Sequence, residues 1–229
     1  MIENTFTTLH FYQIRGFWNK FFAFRTMGFS KMNPLKGKGM LVGKLLGTGA
    51  GLGFSRTPNW GQYALLSIWK TEEDAANYVN QSYYHRKLKS LSYKEIILEM
   101  VPFQSRGIWD GKNPFPMIPP NVEANGQVAI LTRAKLKLKN IPSFWKHVNP
   151  VNESLKNAKG RLFSAGMGEW HFSHPITFSV WDNMESAKDF AYQQHFHSTA
   201  IKDARDGEWF KEDLFVRFEV KRFDTTALK

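Results

Sequence analysis

The segment SIWKTEEDAANYVNQSYYH, residues 67–85, returns without a gap as SVWDNMESAKDFAYQQHFH, residues 179–197, at an offset of 112 residues. Ser67, Trp69, Glu73, Ala75, Tyr78 and His85 meet Ser179, Trp181, Glu185, Ala187, Phe190 and His197. A fainter echo joins IRGFWNK from Ile14 to IPSFWKH from Ile141. Self-similarity at a fixed offset marks a duplicated unit, so the chain reads as two copies of one fold.

Working outward from that alignment, the apolar periods predict strand, helix, strand, strand, helix, strand in each copy. In the first these cover residues 5–14, 17–32, 39–46, 62–69, 72–88 and 93–103; in the second, 127–138, 142–156, 161–166, 176–181, 184–204 and 214–223. Pro142 suits a first helical turn, and Thr71 and Asp182 stand where N-caps belong. The division is a first unit over 1–104, a linker rich in Pro, Gly and Asn over 105–125, and a second unit over 126–229. Each β-α-β-β-α-β unit is a ferredoxin-like sheet with helices on one face. The bare faces need cover, and two fused copies supply it by packing sheet on sheet as an α+β barrel within one chain. A pocket then has room between a sheet and its own helices.

Composition narrows the chemistry. The chain has 229 residues and no cysteine, which excludes a cysteine nucleophile, cysteine-ligated zinc or iron–sulfur clusters and cysteine-bound haem iron. The first residues lack a basic flank and apolar run, and no stretch is long enough for a membrane span, so a cytoplasmic protein is expected. A net charge of +11 and a pI near 9.7 suit an anionic partner or, equally, a solvated basic surface. Lys135, Lys137 and Lys139 alternate with apolar residues as on a strand with one wet face.

Several motifs have plain readings. GTGAGLGF at residues 47–54 does not satisfy the GxGxxG spacing and reads as a turn between strands. Lipase elbows and HExxH helices are absent from the sequence. Phe17, Trp18, Phe21 and Phe22 form a stripe at helical spacing, read first as core packing. Phe24, Met27 and Phe29, with Lys20, Arg25 and Lys31, widen it enough to suit a membrane surface or a greasy substrate. At 100° per residue, Ala187, Phe190, Gln194, His197 and Ile201 share one face, so His197 points to the sheet and His195 to water. An inward imidazole in that place is an axial haem ligand, a general base or a hydrogen-bonded core residue. Glu169 and His174 stand near the strand leading to the same helix, either as polar groups across a pocket or as a surface carboxylate and a loop histidine.

GTGAGLGFSRTPNWGQYALLSIW from Gly47, SRGIWDGKNPF from Ser105, GMGEWHFSHPITFSVW from Gly166 and HSTAIKDARDGEWFKEDLFVRFEV from His197 resemble segments of the spheroidene monooxygenase family, the carotenoid ketolases. The resemblance is spread through both copies and covers most of the chain beyond the first thirty or so residues. It implies a haem-dependent monooxygenase acting on an acyclic carotenoid or other lipophilic substrate, with an electron donor that the sequence does not identify. Carried over by position, His197 matches the family histidine implied as the axial, metal-binding ligand, and His174 matches the histidine before its last sheet-entry strand. For the haem reaction so implied, Arg106, Arg133 and Arg217 are the candidates for pairing with the propionates, and His174 and Glu169 the candidate catalytic groups handling protons. His85 has no counterpart in the family. The chain is expected to touch the membrane only peripherally and to bind no nucleic acid, with oligomers allowed but not needed to close the barrel. The competing readings are a cofactor-free barrel oxygenase and a non-enzymatic haem- or RNA-binding module.

Overall fold

A computed structural model describes residues 5–53, 55–115, 124, 126–170, 173–193 and 207–228. The first half contains β1 (Phe6–Ile14), α1 (Phe17–Met32), β2 (Met40–Gly49), β3 (Pro58–Trp69), α2 (Glu72–Gln81), α3 (Tyr83–Leu91) and β4 (Ser92–Gly107). The second contains β5 (Val128–Leu136), α4 (Ile141–Lys156), β6 (Arg161–Gly168), β7 (Pro175–Trp181), α5 (Met184–Gln193) and β8 (Phe210–Ala227).

The fold is mixed α+β, and the eight strands among the described residues close one antiparallel barrel in the order β1-β3-β2-β6-β7-β5-β8-β4. Each half thus contributes four neighbouring strands with its first strand inside. The halves meet at two seams of unequal length. Strands β4 and β8 pair from Lys94–Ala227 to Gly107–Leu214, whereas β2 and β6 share only Gly47–Gly168 and Thr48–Met167. The two sheets therefore join edge to edge through hydrogen bonds, in addition to packing their inner faces together. Among the described residues every strand of the barrel has a neighbour on both sides, most narrowly at the short β2–β6 seam.

Period-2 alternation sends Leu9, Phe11, Leu98, Met100, Leu131, Phe178, Val216 and Phe218 into the lumen, all nearly inaccessible. Phe11 meets Phe163 edge-on with ring centres 5.0 Å apart. The barrel is a filled core rather than a channel. Helices cover its outside, and Trp69 and Trp181 anchor the two coverings in the same way. Trp69 packs on Tyr78 of α2 at 4.9 Å and Trp181 on Phe190 of α5 at 5.2 Å.

Three local outcomes differ from the periodicity. The single helix expected over 72–88 is two, because Ser82 leaves helical dihedrals at φ −65°, ψ 125° and caps α3 by accepting from His85 N. Thr71 caps α2 by accepting from Asp74 N, but the hydrogen bond at the start of α5 comes from Ser186 N to Asn183 Oδ1, one residue after Asp182. In residues 105–125, the first three extend β4, and Trp109 and Phe115 are buried in the barrel core. Gly107 makes the departure possible: its φ is +92°, and a Cβ there would lie 2.1 Å from the Asp213 carbonyl oxygen.

Helix α1 has the expected bounds and the opposite face inward. Ala23, Thr26 and Ser30 are buried, while Phe17 is 75% and Trp18 67% exposed. The sheet beneath already presents Tyr12, Tyr63 and Leu65, so small side chains let the helix approach and the aromatics are left outside.

Candidate functional site

Two clusters of ionisable side chains stand out among the described residues. The first lies on the outer face of β1 and β4. On β1, alternation puts Thr8, His10 and Tyr12 on that face; on β4 it puts Glu95, Ile97 and Glu99 there, because Tyr12 pairs with Glu95 and His10 with Ile97. His10 and Glu95 are therefore diagonal neighbours, and His10 Nδ1 lies 2.8 Å from Glu95 Oε1. Helix α3 lowers His85 onto them, with Nε2 3.9 Å from the same carboxylate oxygen and the ring edge-on to His10 at 4.9 Å. Tyr12 OH stands 2.5 Å from His85 Nδ1 and fixes the ring.

Glu95 is 1% exposed, and both histidines are buried. Burial, reinforced by the charge of His10, pushes the His85 pKa down to about 4, with Glu95 only partly opposing it. His85 is therefore neutral near pH 7. Burial pushes the Glu95 carboxyl up, but the His10 hydrogen bond and the surrounding positive charge outweigh it and hold the group below its ordinary value. Burial and the nearby Glu95 charge raise the Tyr12 hydroxyl well above its ordinary value, so it keeps its proton. A cavity of about 330 Å³ between this sheet face and α2 and α3 is lined by His10, His85 and Glu95 together with Thr8, Val79 and Lys89. Among the described residues, this trio forms a group with the donor types and spacing to hold a metal ion.

The second cluster closes one end of the barrel. Arg133 is wholly buried on the inner face of β5, because its ladder partner is Leu214 of the lumen. Its guanidinium meets Glu212 at 2.7 Å, Asp110 at 3.2 Å and Glu169 at 3.5 Å. Lys44 bridges Asp110 and Glu169, each at 2.9 Å. The hydrogen bond from Arg133 holds the Glu212 carboxyl below its ordinary range. Trp109 lies under both cations, 5.3 Å from Arg133 and 5.9 Å from Lys44. His174 is at the same end, its Nδ1 2.8 Å from Ser173 Oγ. Burial lowers its pKa, Glu169 pulls against that, and Arg133 and Lys135 add to it.

The predicted site residues thus divide into three sets. Glu169, His174 and Arg133 come together at the barrel end, where Glu169 and Arg133 are tied into ion pairs. Arg106 and Arg217 come together elsewhere, on the outer face, each 5.3 Å from the ring of Phe215. Arg133 cannot join them, because it lies on the opposite face of the sheet. His197 and His195 lie outside the described residues. Of the outer-face trio, His85 was visible as the repeat partner of His197, whereas His10 and Glu95 carried no local signal; a histidine sharing a strand face with Thr8 and Tyr12 is the only hint.

The sequence matches no family model. It is 33% identical over 178 residues to the spheroidene monooxygenase of Cereibacter sphaeroides, covering 77% of this chain and 55% of that protein. It is 32% identical over 180 residues to the spheroidene monooxygenase of Rhodobacter capsulatus, covering 77% of this chain and 74% of that one. The chain therefore spans little more than half the length of the first relative. Among solved structures, an aldoxime dehydratase in complex with butyraldoxime superposes with a TM-score of 0.62 over 96% of this chain and 80% of that one. At 11% identity, that likeness concerns the fold alone. With about a third of its residues shared over three quarters of its length, the chain belongs to the spheroidene monooxygenase family.

Proposed function

We propose that the protein is a haem-dependent monooxygenase that inserts one oxygen atom from O2 into a carotenoid or similar long apolar substrate, reducing the other to water with electrons from a separate donor. The observation that carries this reading is the identity shared with the spheroidene monooxygenases across most of the chain.

Residues on the outer face of the β4–β8 seam fit the cofactor. Arg106 and Arg217 converge on Phe215, and Arg217 Nε is buried without a hydrogen-bond partner among the described residues. A planar anionic group would satisfy that donor and gain an aromatic contact. In this reading Arg106 and Arg217 hold the propionates and His197 binds the iron, while Arg133 holds the barrel end shut. Haem supplies the activation of oxygen when bound. The chain supplies the water-excluding surroundings, and His174, kept neutral by its lowered pKa, relays protons beside Glu169.

The substrate enters from a membrane surface through the exposed aromatic side of α1. Phe24 of α1 meets the exposed Trp60 edge-on at 5.1 Å, extending the apolar patch onto β3, and exposed Arg25 borders it. No described helix is long and apolar enough to cross a membrane, so the contact in this reading is peripheral.

The haem part has a spectroscopic test. The chain produced with a haem precursor is expected to show a Soret band that His197→Ala loses or shifts. A wild-type chain without a band even after addition of hemin would rule the cofactor out.

A further inference from the structure

We propose that His10, His85 and Glu95 form a binding site for a divalent transition-metal ion in the first half of the chain, open to the cavity beneath α2 and α3. The site shares no residue with the proposed haem site: Arg106 stands at the far end of β4 from Glu95, and Arg217 and His197 belong to the second half.

The donor set is two imidazoles and one carboxylate, the combination that holds zinc or ferrous iron while leaving positions for water or a small ligand. The three residues come from β1, α3 and β4, so each donor is carried by a separate regular element rather than a loop. One ligand atom from each lies within 4.8 Å of the others. Donors at about 2.1 Å from a tetrahedral ion are roughly 3.4 Å apart. The observed 2.8 Å between His10 and Glu95 and 3.9 Å between His85 and Glu95 bracket that value. Small side-chain rotations, a little apart for one pair and a little together for the other, would admit the ion.

The surroundings suit a metal as well as the donors do. His85 Nδ1 is engaged by Tyr12, which leaves Nε2 facing the carboxylate and the cavity. Holding the distal nitrogen of a ligating histidine is the usual task of an outer partner. When Nε2 binds metal, Nδ1 carries the proton and donates it to the Tyr12 oxygen. Glu95 is the acidic member of the donor set, and its Oε1 faces both imidazoles, at 2.8 Å from His10 and 3.9 Å from His85. Lys89, 3.8 Å from the other Glu95 oxygen, opposes the ion, but its side chain is half exposed and can swing to solvent. The cavity also presents Glu72 and Glu99 against Arg222, so its remaining charge does not expel a cation.

The rival arrangement is a hydrogen-bonded polar network with no ion. The two are separated by titrating the full-length chain, stripped of metal by a chelator, with Co(II) and with Zn(II). The site predicts saturable binding of one ion per chain, visible-range absorption bands with Co(II), and a higher melting temperature in excess Zn(II). Glu95→Gln and His10→Ala are expected to abolish the bands, and Tyr12→Phe, which keeps the ring and all three ligands, to weaken affinity about tenfold or more. Absence of saturable Co(II) and Zn(II) binding in the wild type would overturn the proposal, and so would binding that folded Glu95→Gln or Tyr12→Phe chains retain unchanged. Should a variant fail to fold, the wild-type stoichiometry and Zn(II)-induced stabilisation still decide. The Soret band reports haem separately, so failure of this site would leave the haem reading as it stands.

Discussion

Arg133→Met is expected to lower the melting temperature by about 10 °C. The arginine is wholly buried and contributes the cation to an assembly of three carboxylates, Asp110, Glu169 and Glu212. Removing it leaves those carboxylates facing Lys44, with Lys135 near Glu212 at 3.5 Å. Breaking a buried ionic group by deleting one partner costs about 3–5 kcal/mol, because the remaining charges are left desolvated. For a chain of this size each kcal/mol moves the melting temperature by roughly 2–4 °C. Asp110 is about half exposed and relaxes into water, so Glu169 and Glu212 carry most of the penalty. Adding Glu212→Gln to Arg133→Met is expected to restore part of the loss, since the two share one network. The exposed pair Lys156 and Glu153, at 2.8 Å, offers the comparison: Lys156→Ala is expected to cost less than about 1 kcal/mol. Calorimetry or thermal circular dichroism on the three variants checks the ranking, and an Arg133→Met chain as stable as wild type would mean the cluster does not hold the barrel end.

The second large effect concerns α1. Trp18→Ser combined with Phe21→Ser is expected to reduce retention on vesicles containing an anionic lipid by at least about tenfold while leaving the melting temperature nearly unchanged. Both side chains are exposed, at 67% and 42%, so their loss removes little from the folded core. Each apolar side chain immersed in lipid is worth about 1.5–3 kcal/mol when fully buried. Lys20 and Arg25 are carried on the same helix, and the chain is strongly cationic, so retention is also expected to fall with added salt and with neutral lipid. Sedimentation with vesicles measures both. Equal retention of the double variant and wild type would remove the membrane from the account.

These two features also show what the sequence could and could not reveal. The element order was legible because alternation and helical spacing are local, and α1 begins and ends where its period does. Its inward face was not legible, because that choice depends on the bulk of Tyr12, Tyr63 and Leu65 on strands that the helix meets only in three dimensions. The break at Ser82 is masked in the sequence because the apolar period runs on through it, although a serine whose hydroxyl accepts from the residue three places on is a capping signal. The charged end of the barrel was half legible. Glu169, His174 and Arg133 stand out in the sequence, but nothing local separates Arg133 from Arg106 and Arg217, and only the register of β5 against β8 shows that they occupy opposite faces. The His10–Glu95 pair was invisible for the same reason: the two are 85 residues apart and meet through the β1–β4 ladder.

The central claim is oxygenation of a carotenoid-type substrate, and pigment extracted from cells that accumulate spheroidene tests it most directly. Cells expressing the chain in air are expected to convert the pigment to an oxygenated carotenoid, identified by mass and absorption, and cells held without oxygen are expected to leave it unchanged. Unaltered spheroidene in aerated cells that contain the folded, haem-loaded chain would contradict the account.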